Sequence, residues 1–116
     1  MKPARIVHLV AHRGNAREFP ENTLPALQSA LDLGARFLEI DTHLSSDGVP
    51  VVIHDADLAR TTGATGNVFD KPVAELVNTE AAERQRFGAQ YAGTCIPTLA
   101  DAARLLISFY ESASAN

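Results

Sequence analysis

The sequence predicts an α/β fold, the opening of a parallel barrel of strands and helices. A short apolar run rich in β-branched residues, Ile6 to Ala11, precedes a helical repeat of apolar residues that starts at Leu24. Two further runs, Arg36 to Leu44 and Pro50 to His54, have the character of strands. The resulting order of strand, helix, strand, strand, loop and helix is typical of an α/β domain.

The first strand and the helix after it form one βα unit. The strand is bounded by Gly14 and is expected to end at His12. Apolar residues then recur at helical spacing, and the flanking residues suit a helix from Asn22 to Gly34, because Asn22 or Thr23 can cap its start and Gly34 can occupy the position after its end. The residues that carry this pattern are Leu24, Pro25, Leu27, Ala30 and Leu31.

The remaining elements are predicted from turn residues and periodicity. The Asp47-Gly48 pair favours a tight turn between the second and third strands. Thr61 to Asp70 is rich in Thr and Gly and is expected to be a loop, whereas Val73 to Phe87 is expected to be helical. A last helix opens at Pro97-Thr98-Leu99 with Thr98 as its cap, and its apolar face comprises Leu99, Ala102, Ala103, Leu106 and Ile107.

Composition narrows the classes of function. The 116 residues carry a formal charge of -4 without a Lys/Arg cluster, which argues against binding to nucleic acid. No window approaches the roughly 18 consecutive apolar residues of a membrane span, and the start lacks the apolar stretch of a signal peptide. Cys95 stands alone and is interpreted as a small buried residue. We therefore expect one cytoplasmic domain with a small or zwitterionic substrate.

Two acidic residues lie close together in the second strand. The strand period of two places Phe37, Glu39, Asp41 and His43 on one face, so the two carboxylates are expected to point the same way. Carboxylates that are close and largely buried repel each other unless a cation or a proton intervenes, and Mg²⁺ or Ca²⁺ with oxygen ligands would meet that need. The alternative is an edge strand with both carboxylates facing water.

Two histidines occupy equivalent places, since His12 and His54 each end a predicted strand. Catalytic groups collect at the carboxyl ends of barrel strands, and a pair of histidines there can act as acid and base near neutral pH. Taken singly, either histidine suits a structural role. Together with Arg13, whose guanidinium suits a phosphate oxygen, and Gly14, which permits a close backbone approach, they indicate a site for a phosphoryl group.

These motifs resemble the glycerophosphodiester phosphodiesterase family, in family order and at family spacing, over roughly residues 7–106. The resemblance implies a TIM-type (β/α) barrel, a divalent metal held partly by Glu39 and Asp41, His12 and His54 as the acid/base pair, and Arg13 on the phosphate. Glu21 and Asn22 are interpreted as supporting residues. The motifs are His12-Arg13-Gly14, Pro20-Glu21-Asn22-Thr23, Gly34-Ala35, Leu38-Glu39-Ile40-Asp41, Asp47-Gly48-Val49-Pro50-Val51, His54-Asp55, Leu58, Arg60-Thr61-Thr62, Gly66, Glu75-Leu76 and Ile96-Pro97-Thr98-Leu99.

The implied reaction is the hydrolysis of glycerophosphodiesters to glycerol 3-phosphate and an alcohol. In the family's chemistry the glycerol 2-hydroxyl is thought to attack phosphorus and expel the alcohol, before water opens the cyclic phosphate. The resemblance leaves open which histidine is the acid, whether the metal is Mg²⁺ or Ca²⁺, and which alcohol is released. Related barrel phosphodiesterases cleave phospholipids with a similar residue set, so a phospholipid-type substrate stays an alternative.

The chain departs from the family in its length. A TIM barrel needs about 200 to 250 residues, so residues 1–116 are expected to form one partial domain, the N-terminal half of a barrel. A later strand that supplies another acid and a lysine in the family has no counterpart here. Three explanations remain open: a truncated, non-catalytic remnant, a piece of a longer protein, or a chain that works as a homo-oligomer or with a complementing C-terminal half.

Overall fold

The structure, a computed structural model, describes residues 9–114. Short strands and helices alternate along these residues. In chain order the elements are β1 Val10–His12, α1 Leu24–Asp32, β2 Phe37–Glu39, β3 Thr42–Leu44, β4 Pro50–Val52, α2 Ala59–Thr62, a 3-10 turn Val68–Asp70, α3 Val73–Leu76, α4 Arg84–Phe87 and α5 Leu99–Ser114.

The first βα unit has the parallel geometry that the sequence predicts. Strand β1 pairs parallel with β2, and His12 lies in register with Glu39. The first three residues of the predicted strand, 6–8, lie outside the described residues. Helix α1 has Pro25 in its first turn and buries one apolar face, and it ends before Gly34, whose φ of +92° closes the helix without strain. The carboxyl ends of β1 and β2 therefore meet at one edge.

The predicted side-chain cap of α1 is wrong. Thr23 occupies the cap position, but its hydroxyl donates a 2.6 Å hydrogen bond back to the carbonyl oxygen of Pro20. The side-chain amide of Asn22 donates to the Asp41 carboxylate at 3.1 Å instead of capping the helix. A local carbonyl thus takes the Thr23 hydroxyl and a distant carboxylate takes the Asn22 amide, because a short polar side chain can bond neighbours other than the helix start.

The predicted strand Arg36 to Leu44 divides into two. Ile40 and Asp41 interrupt it, so that β2 pairs with β1 while β3 pairs antiparallel with β4. The predicted turn at Asp47-Gly48 is confirmed, with Gly48 at a φ of +79°. Strand β4 ends at Val52, two residues before His54, although the hairpin continues through a bond from the Ile53 amide to the Asp41 carbonyl oxygen at 2.9 Å.

The predicted helix Val73 to Phe87 is also divided, into α3 and α4. The intervening segment forms a β-bridge between Glu80 and Cys95, and it buries Ala81, Ala82 and Glu83. In this segment the backbone amides of Ala81 and Glu83 donate to Thr94 and Thr61 and not to residues of the same helix. A φ of +43° at Glu83 also excludes a continuous helix. The predicted loop Thr61 to Asp70 contains the end of α2 and the 3-10 turn.

Helix α5 begins as predicted. The Thr98 hydroxyl accepts a 3.0 Å bond from the Asp101 amide, and the Asp101 carboxylate accepts a 3.1 Å bond from the Thr98 amide, which makes a reciprocal capping box. Its predicted apolar face is only partly covered, because Ala102 is buried while Leu106 and Ile107 are exposed. None of the helices in residues 9–114 combines the length and apolar character that crossing a membrane requires.

The buried core lies between the β3–β4 hairpin and the segments that follow it. A smaller cluster joins α1 and α5 through Leu27, Val52 and Ala102. Leu38 of β2 and Ile40, which directly follows that strand, pack against this smaller cluster. The larger cluster comprises Val51, Ile53, Leu58, Val68, Leu76, Ala81 and Ile96.

Candidate active site

The carboxyl ends of β1 and β2 bring a histidine and a carboxylate together. Because the parallel register sets His12 beside Glu39, the His12 Nε2 atom lies 3.1 Å from Glu39 Oε1. More than half of each side chain is exposed, at 60% for His12 and 54% for Glu39. The pair is therefore accessible to a ligand from solvent.

Arg13 follows directly and turns the chain away from β1. Its φ of +60° is unusual for a residue with a side chain, and its amide donates a 2.7 Å bond to the Glu39 carbonyl oxygen. The Arg13 Nη1 atom lies 3.2 Å from Glu21 Oε2, and Nε lies 3.4 Å from Asp41 Oδ2. This Nε atom is buried, and its N–H donates no hydrogen bond to an acceptor within residues 9–114.

Gly14 fits the loop closely against α1. A Cβ added to Gly14 would lie 2.7 Å from the carbonyl carbon of Ala26, and the φ of Gly14 is +75°. Both facts require glycine. The amide of Asn15 donates to the Ala26 carbonyl oxygen at 2.9 Å, which fixes the Arg13 loop on the helix.

Glu21 and Asn22 lie buried behind this edge. The backbone N–H of Asn22 donates to the Arg13 carbonyl oxygen at 3.0 Å, and the side-chain amide of Asn22 donates to Asp41. Asn22 therefore joins the two loops that carry Arg13 and Asp41. The backbone amide of Glu21 donates to the Glu83 carboxylate at 2.7 Å. The Glu83 side chain is only 4% exposed, and no local signal in the sequence indicates its role.

His54 lies after the hairpin, beside the carboxylate of its neighbour. The distance from His54 Nδ1 to Asp55 Oδ1 is 2.7 Å, and the Arg60 guanidinium donates two bonds to the same carboxylate at 2.8 and 3.1 Å. Hydrogen bonds from Arg60 and then from His54 hold the pKa of the Asp55 carboxyl well below its ordinary value, despite the opposing effect of partial burial. Asp55 is therefore a carboxylate at neutral pH.

Arg60 also reaches Glu21 with two donors, at 2.7 and 2.9 Å. Burial raises the pKa of the Glu21 carboxyl, but the bonds and charge of Arg60, followed by those of Arg13, outweigh burial and leave this pKa below its ordinary value. The bonds to Glu21 and Asp55 raise the pKa of Arg60 above its ordinary value. Sequence patterns indicated no role for Arg60, because its partner Glu21 lies 39 positions away. They also indicated none for Asp55, although this residue directly follows His54.

The two carboxylates predicted to hold a metal have different surroundings. Glu39 ends β2 and faces His12. Asp41 lies past the end of the strand, where it accepts a hydrogen bond from Asn22 and forms an ion pair with Arg13. Within residues 9–114 no group of three or more His, Cys, Asp or Glu side chains is arranged to hold a metal ion. Two carboxylates remain a suitable partial oxygen donor set for a hard cation, since Mg²⁺ keeps several waters when few protein ligands are available.

His43 contacts the His54 loop from the hairpin. Its Nε2 atom lies 2.7 Å from the His54 carbonyl oxygen, so it supports the backbone of the predicted catalytic histidine. The structure thus brings His12, Arg13, Glu39, Asp41, Glu21 and Asn22 into one connected set. His54 joins that set through Asp55, Arg60 and Glu21.

The fold and these residues define the class: an α/β domain with a polar site at the carboxyl ends of parallel strands. The sequence model described as the glycerophosphoryl diester phosphodiesterase family matches residues 12–111. The chain belongs to this family.

Individual relatives agree with the family match. A glycerophosphodiester phosphodiesterase from Caldanaerobacter subterraneus subsp. tengcongensis is 41% identical, over 84% of this chain and 40% of its own length. A lysophospholipase D from Rattus norvegicus is 46% identical, over 58% of this chain and 21% of its own length. A solved phosphodiesterase from Oleispira antarctica, in complex with the product sn-glycerol-3-phosphate, superposes with a TM-score of 0.82 at 38% identity, covering 90% of this chain and 41% of that one. The chain thus spans about two fifths of the first of these relatives.

Proposed function

We propose that this chain supplies the N-terminal half of a TIM-type barrel that hydrolyses glycerophosphodiesters, with a divalent metal, to glycerol 3-phosphate and an alcohol. The observation that carries the proposal is the set His12, Glu39 and Arg13 at the ends of two parallel strands, inside the region that the family model matches. The glycerol 3-phosphate bound to the Oleispira relative supports this substrate class.

Arg13 is the proposed phosphate-binding residue. Its guanidinium is part-buried, and its hydrogen bonds to Glu21 come from Nη1. The buried Nε–H lacks an acceptor among the described residues, so Glu21 does not take up every donor of this guanidinium. Glu21 and Asp41 neutralise part of its charge and hold its side chain in place. A fixed guanidinium loses little conformational freedom when it binds a phosphate oxygen, which favours affinity and orientation.

The two histidines are proposed to move protons. His54 Nδ1 faces the Asp55 carboxylate, which leaves Nε2 to take a proton from a hydroxyl or to return it to the leaving alkoxide. His12 Nε2 faces Glu39 Oε1 at a distance of 3.1 Å. Transfer of a proton at these two atoms would avoid both a strongly basic leaving group and a free hydroxide.

Glu39 and Asp41 are the residues that would hold a divalent metal. Their carboxylates are hard oxygen donors at the end of β2 and two residues beyond it, so the residues fit Mg²⁺ or Ca²⁺. When bound, such an ion supplies positive charge that stabilises phosphoryl oxygens and lowers the pKa of a coordinated hydroxyl. Arg13 Nε lies 3.4 Å from the Asp41 carboxylate, so this arginine is close enough to act on the same phosphoryl group.

A complementing part of the barrel is a further element of this proposal. Leu9 and Val10 of the β1 region are 56% and 62% exposed, and an apolar cleft of about 190 Å³ lies between α1, β2 and α5. The relatives that this chain matches are more than twice as long as the matched region. The remaining strands and helices of such a barrel would cover these surfaces, either as a continuation, as a second polypeptide or in a homo-oligomer.

Two alternatives are kept. The chain by itself would be a non-catalytic remnant if no complement restores turnover. A lysophospholipid substrate is favoured by the 46% identity to the lysophospholipase D, although that match covers 67 residues. The first alternative concerns whether the site turns over, and the second concerns only which substrate enters it.

The deciding experiment combines this chain with the C-terminal part of the Caldanaerobacter relative, the part beyond the matched region. We expect release of glycerol 3-phosphate from glycerophosphocholine that depends on Mg²⁺ or Ca²⁺ and stops on chelation. The same complex carrying His12→Ala is the control for contaminating activity. A folded complex that releases nothing from glycerophosphocholine, but cleaves lysophosphatidylcholine, would replace the proposed substrate, and one that cleaves neither would refute the proposed function.

A further inference from the structure

One arginine connects the two strand-end loops of the site. Arg60, at the start of α2, binds Asp55 of the His54 loop and Glu21 of the Arg13 loop, each through two donors. The Glu21 side chain is 7% exposed and that of Asp55 is 29% exposed, so water screens these contacts less than it screens a surface pair. A guanidinium can make such paired contacts because its donors form a planar fork.

Asp55 needs this arginine to stay against the imidazole. Asp55 and His54 are neighbours in sequence, and one 2.7 Å bond between adjacent side chains does not fix the carboxylate's orientation. Arg60 holds both carboxylate oxygens, with Nε on Oδ2 and Nη2 on Oδ1. The oxygen that faces His54 Nδ1 is therefore the oxygen that also accepts from Arg60.

Glu21 depends more on Arg60 than on Arg13. Its oxygens lie 2.7 and 2.9 Å from the Arg60 nitrogens, but 3.2 and 3.3 Å from Arg13 Nη1. Without Arg60, the buried Glu21 carboxylate would draw closer to Arg13, its remaining cation. Arg13 would then be less available to a phosphate oxygen.

We propose that Arg60 is a positioning residue, which holds Asp55 on His54 Nδ1 so that Nε2 faces the reacting groups, and holds Glu21 so that Arg13 keeps a free donor. This inference rests on the proposed function for the meaning of His54 and Arg13. The arrangement itself is a property of the folded chain. A carboxylate partner that fixes the tautomer of a catalytic histidine is a known device in enzymes of other folds.

The test measures the His54 tautomer by ¹⁵N chemical shifts, at pH about 8.5, where an ordinary histidine is neutral. The signal is assigned by its loss in His54→Gln. We expect the proton on Nδ1 in the original chain and in Arg84→Gln, a control that removes the Glu80–Arg84 pair on the surface. In Arg60→Gln and in Asp55→Asn we expect the Nε2-protonated form to rise to a substantial fraction.

Two results would overturn the proposal. One is an unchanged Nδ1 proton in folded Arg60→Gln, and the other is an original chain that already carries the proton on Nε2. If circular dichroism shows that Arg60→Gln does not fold, Arg60→Lys replaces it, because an ammonium keeps the positive charge but cannot make the paired contacts of a guanidinium. An unchanged His54 tautomer in Arg60→Lys would then contradict the positioning role of Arg60.

Turnover separates this inference from the proposed function. In the complemented enzyme we expect Arg60→Gln to lower kcat about 10- to 100-fold, the usual effect of removing an outer partner of a catalytic group. KM should rise as well if Glu21 competes for Arg13, whereas Arg84→Gln should change neither. The tautomer measurement needs no substrate. An inactive complex would therefore refute the proposed function, while the tautomer of His54 would still test the positioning role of Arg60.

Discussion

His12 Nε2 lies 3.1 Å from Glu39 Oε1, across the parallel pair of β1 and β2. This contact couples a proposed proton-transfer group to a proposed metal ligand. A change at either side chain would therefore disturb the other, because the two are in direct contact. Several predictions about the site and its scaffold depend on this coupling or on its neighbours.

Glu39→Gln should weaken metal binding before it affects anything else. The amide keeps the shape of the side chain but removes the negative charge, so we expect the Kd for Mg²⁺ or Ca²⁺ in the complemented enzyme to rise about tenfold or more, equivalent to about 1.4 kcal/mol. Calorimetric titration measures the change. Glu75→Gln, which removes an exposed carboxylate paired with Lys71, is the matched control. Equal affinity in Glu39→Gln and the original protein would remove Glu39 from the metal site.

His12→Ala and His54→Ala should each reduce turnover in the complemented enzyme. Loss of a general acid or base costs typically about 10²- to 10⁴-fold. The rate of glycerol 3-phosphate release from glycerophosphocholine is the measurement, with Arg84→Gln as a surface control. If either alanine variant kept the original rate, the acid/base assignment of that histidine would be wrong.

Gly14→Ala should destabilise the fold by steric conflict as well as by backbone strain. The new Cβ would meet the backbone of Ala26 at 2.7 Å, which neither chain segment can avoid without moving the Arg13 loop. We expect a loss of about 2–4 kcal/mol in the free energy of unfolding, from strain plus overpacking. Urea unfolding measures it.

Gly34→Ala is the matched control for Gly14→Ala. Gly34 also has a positive φ, of +92°, but an added Cβ there meets nothing within 4 Å. Gly34→Ala should lower the free energy of unfolding only through the backbone strain of a residue with a Cβ at positive φ, about 1 kcal/mol. Equal losses in the two variants would show that contact between the Arg13 loop and α1 does not constrain Gly14.

Acid should weaken the Asp55–Arg60 contact. The pKa of Asp55 is lower in the folded chain than its ordinary value, because Arg60 and His54 donate to it. The unfolded chain therefore takes up protons first as pH falls, so the stabilisation is complete above pH about 4 and is lost progressively below it, toward the folded-state pKa. Urea midpoints measured from pH 6 to pH 2.5 should fall less steeply in Asp55→Asn than in the original chain. Parallel curves would show that Asp55 does not contribute.

Local patterns predicted those elements whose determinants are close in sequence. The Thr98 cap of α5, the turn at Gly48 and the closure of α1 at Gly34 each depend on residues within a few positions, and all three were predicted correctly. The reciprocal bond from the Thr98 amide to Asp101 was not predicted. The parallel pairing of β1 and β2 also followed, because a strand–helix–strand order favours it.

Long-range contacts decided where sequence patterns failed. The period of two across Phe37 to His43 suggested one strand, but β2 pairs with β1 and β3 pairs with β4, so the strand divides at Ile40 and Asp41. The helical pattern of Val73 to Phe87 is interrupted because Glu80 pairs with Cys95. At both places the backbone N–H and C=O groups form hydrogen bonds with distant segments, and not the bonds that one continuous strand or helix would make.

The sequence by itself determined the residue types of the site and the family to which the chain belongs, because both are carried by short motifs at fixed spacing. Only the tertiary structure decided how those residues are joined. The opposite charges of Glu21, Arg60 and Asp55 attract wherever the chain brings them together, and that meeting depends on the packing of α2 against two loops from distant parts of the sequence. Its result is the connection between the His12–Arg13 loop and His54, which no local pattern indicates.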